Sequence, residues 1–518
     1  MENGFENIPA EKFEFADRRD ISHDKKFETK PVGYFQDAFR RFCKNKGSIV
    51  GAIVILLLVL YAIIAPFCTP YPVSYNDTYF RYTLPKNEWF VNTTFWDGCE
   101  SRTLNRQTFD YYYYMGEETG HNAVKNQAYT EDGGMYTFRL DSYHSTGCVY
   151  MRITGEQYAS IQQYQDETGI QVIYPTIPLT DRPSSSASRN DANYYYRTRT
   201  RNGGTEIVYD NNGNVIPVYS TRLATEEATD NYTSKVRIEG EDGFIEDGEV
   251  CYYNYARRTD TGYEVRVNYY EYYIYNHSYV LKDGITEPSF LFGTTELGQD
   301  IFTCLASGAR FSFIFAICVA VVNLIFGAIY GAVEGYYGGK FDLAMERIAD
   351  ILSAVPSVII ITLLQLHMQG SSTILVLFLA FFLTGWIGIA HTTRMQFYRY
   401  KNQEYVLAAR TLGAKDRRII WKHIFPNALG TLVTSCALII PSMIFSEVNL
   451  SYLGIISLTS GNLTSVGTLL ANGQPYLTSY PHIIAFPSVF LALLLLSFNL
   501  FGNGLRDAFN PTLRGSEE

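Results

Sequence analysis

The residues with the most chemical content lie in one basic loop, which runs Glu404-Tyr405-Val406-Leu407-Ala408-Ala409-Arg410-Thr411-Leu412-Gly413-Ala414-Lys415-Asp416-Arg417-Arg418 and closes on Ile424-Phe425-Pro426-Asn427. Its first part is a good helix former, and small Ala408 and Ala409 allow close approach. Gly413 then breaks the helix, and a second basic helical stretch is expected to stop at Pro426. A short helix followed by a turn is a rigid projection that can seat in a partner's groove; the alternative is an ordinary solvated basic loop. The chemistry on offer is docking rather than bond-making. No phosphate-cradling GxxxxGK[ST] loop occurs, and the long segment 68 to 307 has no GxSxG or HExxH pattern. Gly335-Tyr336-Tyr337-Gly338-Gly339 is glycine-rich but does not follow a strand, so it reads as a turn. Any ATP the protein uses must therefore bind another chain. The eight histidines, His423 and His482 among them, are scattered without metal-ligand spacing, and no metal is expected.

The elements that position this loop are apolar. Mean hydropathy is only -0.07, yet no Asp, Glu, Lys or Arg occurs from Ser48 to Phe67, Phe311 to Val333, Ile351 to Thr393, Ala428 to Ser446 or Ile483 to Gly504. About 20 helical residues cross the hydrocarbon layer, so these stretches predict membrane helices and exclude a soluble enzyme or a disordered scaffold. The third stretch is long enough for two spans joined by a turn at Gln369-Gly370-Ser371-Ser372. The expected spans are 48–67, about 309–335, 350–368, 373–393, 427–447 and 483–505, with the basic loop at 394–426 between the fourth and fifth. Residues 1–47 carry ten Lys/Arg and Arg394 to Lys422 eight, whereas 366–372 and 454–482 carry none. Lys and Arg are retained on the cytoplasmic side, so both termini, including the 506–518 tail, are expected there.

That topology puts the segment between the first two spans, 68–290, outside the cell. From 68 to 307 the chain holds 19 Lys/Arg against 33 Asp/Glu, a net of -14, and 31 of the 42 tyrosines. Tyrosine runs (Tyr111 to Tyr114, Tyr194 to Tyr196, Tyr269 to Tyr275) punctuated by Asp132-Gly133-Gly134, Asn202-Gly203-Gly204, Asn211-Asn212-Gly213-Asn214 and Glu241-Asp242-Gly243 predict a hairpin-rich, mainly β domain. Ser184-Ser185-Ser186-Ala187-Ser188 reads as a flexible loop. Cys99, Cys148 and Cys251 lie in this domain; an oxidising exterior allows a Cys99 to Cys148 disulfide, though pairing cannot be deduced from spacing. Cys318 and Cys436 read as packing residues in spans. Glu447, Asn323 and Asn499 are polar groups at or beside lipid depth, expected to make interhelical hydrogen bonds or to line a pathway.

The basic loop resembles the coupling motif of ABC-importer permeases, Glu-Ala-Ala, three residues, Gly, nine residues, then Ile-x-Leu-Pro. Ala408, Ala409, Gly413 and Pro426 match at that spacing; Phe425 replaces the leucine, His423 the isoleucine, and Leu407 stands where the glutamate belongs, with Glu404 three positions earlier. Further segments resemble the C-type permease of oligopeptide and dipeptide importers: Phe292-Gly293-Thr294-Thr295-Glu296-Leu297-Gly298-Gln299-Asp300; Gly338 and Gly339 followed by Asp342, Arg347, Asp350 and Pro356; Glu447 to Gly454; and Asn499 to Ala508. The match covers about 35–75 and 288–511. It implies a six-span, all-α, type I (MetI-like) importer permease core at 291–505, into which the outer domain is inserted. It also implies a second, B-type permease subunit, two ATP-binding subunits carrying ATP and Mg, and an extracytoplasmic peptide-binding lipoprotein. Glu404, Ala408, Ala409, Arg410, Gly413 and Pro426 would form the ATPase contact, with Lys415, Arg417 and Arg418 as polar support. The cargo is expected to be oligopeptides or dipeptides; nickel chelates or another small solute on the same fold, and a receptor or adhesin merely anchored by the spans, are the alternatives. The family usually has only a short link where the outer domain stands. That domain is a docking surface for the lipoprotein, the sister permease or an envelope component, a direct peptide binder, or a structural elaboration.

Overall fold

The computed structural model describes residues 34–90, 93–177, 192–201, 204–213, 215–216, 221–223, 231–234, 237–238, 241–242, 244–246, 249–456, 458 and 464–509. The expected Ser184–Ser188 loop, most of the N-terminal segment and most of the C-terminal tail lie outside them. Helix α1 (Tyr34–Lys44) leads into α2 (Lys46–Cys68), which Asn45 caps by accepting a hydrogen bond from the Ser48 amide at 3.3 Å. Helix α2 turns its small residues inward. Ser48, Gly51, Ala62 and Ala65 are buried, while Ile53, Leu56, Leu57, Ile63 and Ile64 are exposed. Small side chains let helix backbones approach where lipid, not water, bathes the outer face.

After α2 the chain enters the inserted domain. A first antiparallel sheet is formed by β1 (Cys99–Asn105), β2 (Val124–Asp132) and β3 (Met135–Asp141) in the order β1-β3-β2, with α3 (Arg106–Met115) against it. Asp132 pairs with Met135, and Gly133 and Gly134 take the positive φ angles that the tight turn demands. A second, seven-stranded sheet follows the order β12-β13-β14-β4, with β5, β8 and β9 pairing off that path. Its strands are β4 (Cys148–Ile153), β5 (Ile173–Tyr174), β8 (Thr221–Leu223), β9 (Asn231–Ser234), β12 (Phe244–Glu246), β13 (Glu249–Thr259) and β14 (Gly262–Asn268). Helix α4 (Gly155–Thr168) follows β4, while β6 (Thr198–Arg201) pairs antiparallel with β7 (Gly204–Ile207) around the expected 202–204 position, and β10 (Arg237–Ile238) pairs antiparallel with β11 (Glu241–Asp242), which places the expected 241–242 turn residues in a strand.

Two of the three tyrosine runs are helical, contrary to the β expectation. Tyr111 to Tyr114 lie in α3, and Tyr269 to Tyr275 form α5 (Tyr269–Ile274) and the start of a π-helix, Tyr275–Leu281. Each helix has an asparagine N-cap: Asn105 accepts from the Thr108 amide and Asn268 from the Glu271 amide. Tyr269 and Tyr273, four apart on one helical face, donate to Asp77 (2.8 and 2.7 Å) and to the Tyr71 hydroxyl (2.8 Å). The caps, and in α5 the tertiary partners that meet Tyr269 and Tyr273 on one helical face, outweigh the β propensity of tyrosine. Cys99 and Cys148 are free thiols rather than a disulfide, their ionisation pushed up to about 12 by burial; the Cys251 side chain lies outside the described residues.

The insertion leaves and rejoins the chain at adjacent points. The Lys86 amide donates to the Phe290 carbonyl at 3.0 Å, the Thr294 amide to Thr83 at 2.9 Å, and the Asp77 amide to Gly298 at 3.3 Å. Gly298 has φ +73, and a Cβ there would sit 1.8 Å from the Asp77 carbonyl oxygen, so only glycine fits.

From this seam α6 (Ile301–Tyr337) runs unbroken, capped by Asp300, which accepts from the Phe302 and Thr303 amides. Then follow α7 (Gly339–Ser353), α8 (Ser357–His367), α9 (Thr373–Gly385), α10 (Ile387–Tyr400), α11 (Glu404–Thr411), α12 (Asp416–Arg418), a π-helix (Ile419–Ile424), α13 (Phe425–Tyr452), α14 (Val466–Gly473) and α15 (His482–Phe509). Among the described residues five helical stretches are long and apolar enough to cross a membrane, or six if the bent α7–α8 pair counts as one. The expected continuous span at 350–368 is instead broken by a 74° bend. Pro356 lacks an amide proton and disfavours helical geometry at Val355, so α7 ends and α8 restarts. Pro426 does not stop a helix: the chain stays helical from Asp416 to Tyr452, and the proline follows directly on the π-helix Ile419–Ile424, where the regular hydrogen-bond ladder is already interrupted.

Inside the insertion Arg266 is 1% exposed and forks onto both Glu118 oxygens at 2.9 and 2.6 Å, with its remaining donors on the Ala192 and Pro175 carbonyls. Replacing Glu118 by Gln leaves a buried guanidinium uncompensated and is expected to cost about 3–5 kcal/mol of the insertion's stability. Denaturant unfolding of the full-length protein followed by near-UV circular dichroism, which the insertion's tyrosines dominate, reads this directly. His144 stacks on His121 at 5.1 Å, and burial, reinforced by His121 and Lys86, lowers its pKa from 6.5 to about 3. The unfolded chain therefore binds a proton between about pH 6.5 and 3 that the folded one refuses. His144's contribution is complete above pH 6.5 and falls by up to about 1.4 kcal/mol per pH unit on acidification. Comparing unfolding of the wild type and His144→Asn at pH 7.5 and 5.5 isolates it: the variant should lose less stability across that interval.

Candidate functional site

Three elements build the projection around Gly413. Helix α11 begins at Glu404, whose carboxylate lies at the positive end of the helix dipole, and ends where the Gly413 amide donates to Arg410 (3.0 Å) and the Ala414 amide to Ala409 (3.0 Å). Gly413 has φ +81 with open space around its Cβ position, so the left-handed cap, not crowding, requires glycine. The turn hands the chain to α12 and the π-helix, whose extra residue per turn brings Ile419, Ile420 and Ile424 to one side.

That apolar side is what makes the projection rigid. Val406, Ile419, Ile420 and Ile424 pack with Ala332 and Tyr336 of α6 and Phe397 of α10. Polar ties surround the cluster: Tyr336 donates to Asp416 at 2.5 Å, Lys401 to the Gly335 carbonyl at 2.9 Å and Asn427 to the Tyr405 hydroxyl at 3.1 Å. Arg410 reaches the Tyr336 hydroxyl at 3.4 Å and lies 5.8 Å from its ring centroid. With its inner face occupied, the projection shows solvent Glu404, Tyr405, Leu407, Ala408, Arg410, Leu412, Gly413, Lys415, Arg417 and Arg418. Leu412, at the tip, is 87% exposed. Ala409 is half-buried, and Pro426 is exposed at the far end of the loop, in α13.

Next to the projection lies a charge cluster that the sequence reading missed. Arg394 forks onto Asp342 at 2.7 and 3.0 Å and onto Glu346 at 2.9 and 3.0 Å, with Glu334 3.4 Å away; Tyr398 donates to Asp342 as well. Asp342 and Glu346 are four apart on α7, Arg394 and Tyr398 four apart on α10, so two facing rows meet. Three glycines bring α6 and α10 close enough for this. A Cβ on Gly327, Gly331 or Gly335 would approach the carbonyl oxygens of Trp386, Ala390 and Arg394 to 2.6, 2.1 and 2.9 Å. The four-residue period, Gly327 to Gly331 to Gly335, was visible in the sequence as a small-residue stripe and is the signal that finds the contact.

The other residues singled out from sequence separate into two groups. Gly293, Gly298 and Asp300 sit together at the insertion seam, at the opposite end of α6. Gly338 and Gly339 both have positive φ and turn the chain from α6 into α7, which places Asp342 opposite Arg394. Arg347 and Asp350 pair with each other at 3.1 Å on an exposed face of α7, away from Arg394, and Pro356 makes the α7–α8 break. Glu447 is buried in α13 between the Ser312 and Ser451 hydroxyls, each at 3.0 Å, and Asn323 donates to the Phe381 carbonyl at 3.4 Å. The Ser312–Glu447 and Asn323–Phe381 bonds join helices, the first of the two roles expected of these residues, while Ser451–Glu447 lies within α13; Asn499, by contrast, is exposed on α15.

Residues 324–515 match the family of binding-protein-dependent transport system inner membrane components, and residues 33–85 match the N-terminal TM domain of oligopeptide transport permease C. The second match ends next to Lys86, where the insertion departs. The oligopeptide transport system permease protein OppC of Bacillus subtilis is 45% identical over 224 residues, which are 43% of this chain and 72% of the relative. The dipeptide transport system permease protein DppC of the same organism is 38% identical over 45% of this chain and 74% of its own length, and Escherichia coli OppC 36% identical over 43% and 73%. A solved inward-facing structure of the MetNI methionine ABC transporter covers 40% of this chain and 96% of its own, with 16% identity and a TM-score of 0.32. The two family matches and the OppC and DppC relatives place the chain in one group: it belongs to the binding-protein-dependent transport permeases, on the OppC/DppC branch.

Proposed function

We propose that this chain is one transmembrane half of an ABC importer that carries oligopeptides or dipeptides across the cytoplasmic membrane. The exposed tip of the 404–418 projection, backed by a fixed apolar core, is the observation that carries this reading. A rigid body with an apolar, basic outer face is suited to a groove on an ATP-binding subunit, and α6 and α10 carry its displacement into the bundle. ATP and Mg belong to two such partner subunits; this chain performs no chemistry of its own. A second, B-type permease completes the pathway, and an extracytoplasmic binding lipoprotein delivers the peptide. Both termini face the cytoplasm and the insertion faces outward, in keeping with the distribution of Lys and Arg.

Closure of the ATPases shifts the permease between states only to the extent that the two states present different surfaces to them. Glu404, Ala408, Ala409, Arg410 and Gly413 provide that surface, and Leu412 is its apolar anchor. Arg394 and its carboxylates hold α7 to α10, so that a push on α11 is transmitted rather than absorbed.

Leu412→Asp separates docking from folding, because the side chain is almost wholly in solvent. The variant should unfold as the wild type does, yet lose about 2 kcal/mol or more of affinity for the ATPase subunits, as expected for an anchor residue. Peptide-dependent ATP hydrolysis in the reconstituted transporter should fall with it. Gly413→Asp should act similarly, with added strain at positive φ. Wild-type peptide uptake and hydrolysis in Leu412→Asp would remove the assignment.

A further inference from the structure

Trp89 and Phe90, with Phe95 and Trp96, form an aromatic loop at the base of the insertion, far from the 404–418 projection. Trp89 is 88% exposed and Phe95 65% exposed, which is unusual for large rings on a folded domain. The loop is not loosely held. Buried Asp97 at its end pairs with Lys125 of β2 at 2.6 Å and Arg139 of β3 at 2.8 Å, and the Asn87 amide donates to the Trp96 carbonyl at 2.9 Å. Within the loop the Trp89 amide donates to the Asn87 side chain, the Phe90 amide to the Asn87 carbonyl, and the Thr93 hydroxyl bridges the Phe90 and Phe95 carbonyls.

Ring stacking fixes the height of the loop. Trp96 stacks nearly parallel on Phe292 and Phe486, at 6.4 and 6.0 Å, and Phe292 in turn meets Phe302 at 5.1 Å. Phe486 lies in the first turns of α15 and Phe302 is the second residue of α6, so the loop is level with the ends of two membrane-crossing helices. Phe67, 80% exposed at the end of α2, and the Tyr82, Tyr476 and Tyr480 stack extend the same aromatic level.

From this continuity with the lipid-facing helix ends, we propose that the loop is a bilayer anchor: Trp89 and Phe95 insert into the headgroup region of the outer leaflet and hold the insertion against the membrane. Tryptophan is suited to that zone because its ring is apolar and its indole N–H finds polar partners there.

Fluorescence of the full-length protein in lipid nanodiscs tests this. The chain has four tryptophans, so the emission assigned to Trp89 is the wild-type signal less that of Trp89→Phe. That difference should lose most of its intensity with lipids brominated near the headgroup, less with bromines near the acyl terminus, and little with aqueous iodide. Phe95→Trp in the Trp89→Phe background should repeat the pattern from a second position. Quenching by iodide with no response to brominated lipid would overturn the proposal in favour of a solvent-exposed loop. Insensitivity to both would overturn it in favour of a surface covered by protein.

Discussion

The constraint on which the rest depends is the seam where the chain leaves the permease and returns. Lys86 and Phe290 are joined by one hydrogen bond, although more than two hundred residues separate them in sequence. Closing a loop costs entropy that rises only with the logarithm of its length, and a domain with its own core removes even that by folding between adjacent ends. The permease therefore experiences this domain as it would a short turn. What the seam demands in exchange is tight backbone contact: Gly298 against the Asp77 carbonyl, Thr294 against Phe80 and Thr83, Asp300 capping α6. The motif that resembles the family's approach to the second span is this contact, which explains its glycines.

Asp77 extends the seam into the insertion. Its carboxyl oxygens accept from the Tyr75 and Tyr269 hydroxyls and from the Tyr79 and Phe80 amides, so a buried acidic side chain is satisfied by donors from both sides of the junction. Tyr71 and Phe80, which follow α2, share one apolar core with α5 and the seven-stranded sheet. The insertion is thus fixed to the permease by core packing rather than by a flexible tether, and an anchor at Trp89 and Phe95 would act on a body already oriented.

Much of this was legible in sequence because lipid imposes a strong rule: stretches without charge had to be helices, and they are. The rule says nothing about continuity, so the Pro356 break inside an uncharged stretch was missed, although proline itself was the signal. The tyrosine runs misled because composition was read without caps; Asn105, at the start of the helix that contains the first run, and Asn268, directly before the third, are the residues that tip the balance to helix. The Gly413 turn was legible, since a glycine after an alanine-rich helix has one common use. Arg266 with Glu118, and Arg394 with Asp342 and Glu346, were not. Their partners lie 148 and about 50 residues apart, and nothing local in a lone arginine says which carboxylate it meets. Only the facing four-residue rows, once α7 and α10 are known to be neighbours, make the second cluster readable.

Helix α6 gives the two ends of the molecule a single mechanical element. At 37 residues it is about 55 Å long, more than the hydrocarbon layer requires. Its first residues belong to the insertion seam, and Tyr336 in its last turn to the core of the 404–418 projection. Between them, its glycine stripe is locked to α10, and Ser312 and Asn323 bond to α13 and α9. A helix so held resists bending, because bending would open close-packed backbone contacts and take the Ser312 hydroxyl away from buried Glu447. Motion applied at the projection is then more easily accommodated by rotation of α6 as a unit than by local yielding. Helix α7, tied to α10 through Arg394, moves with that unit, and the break at Pro356 leaves α8 as the element able to yield. The rigid and the compliant parts of the bundle are thereby set by one glycine stripe and one proline.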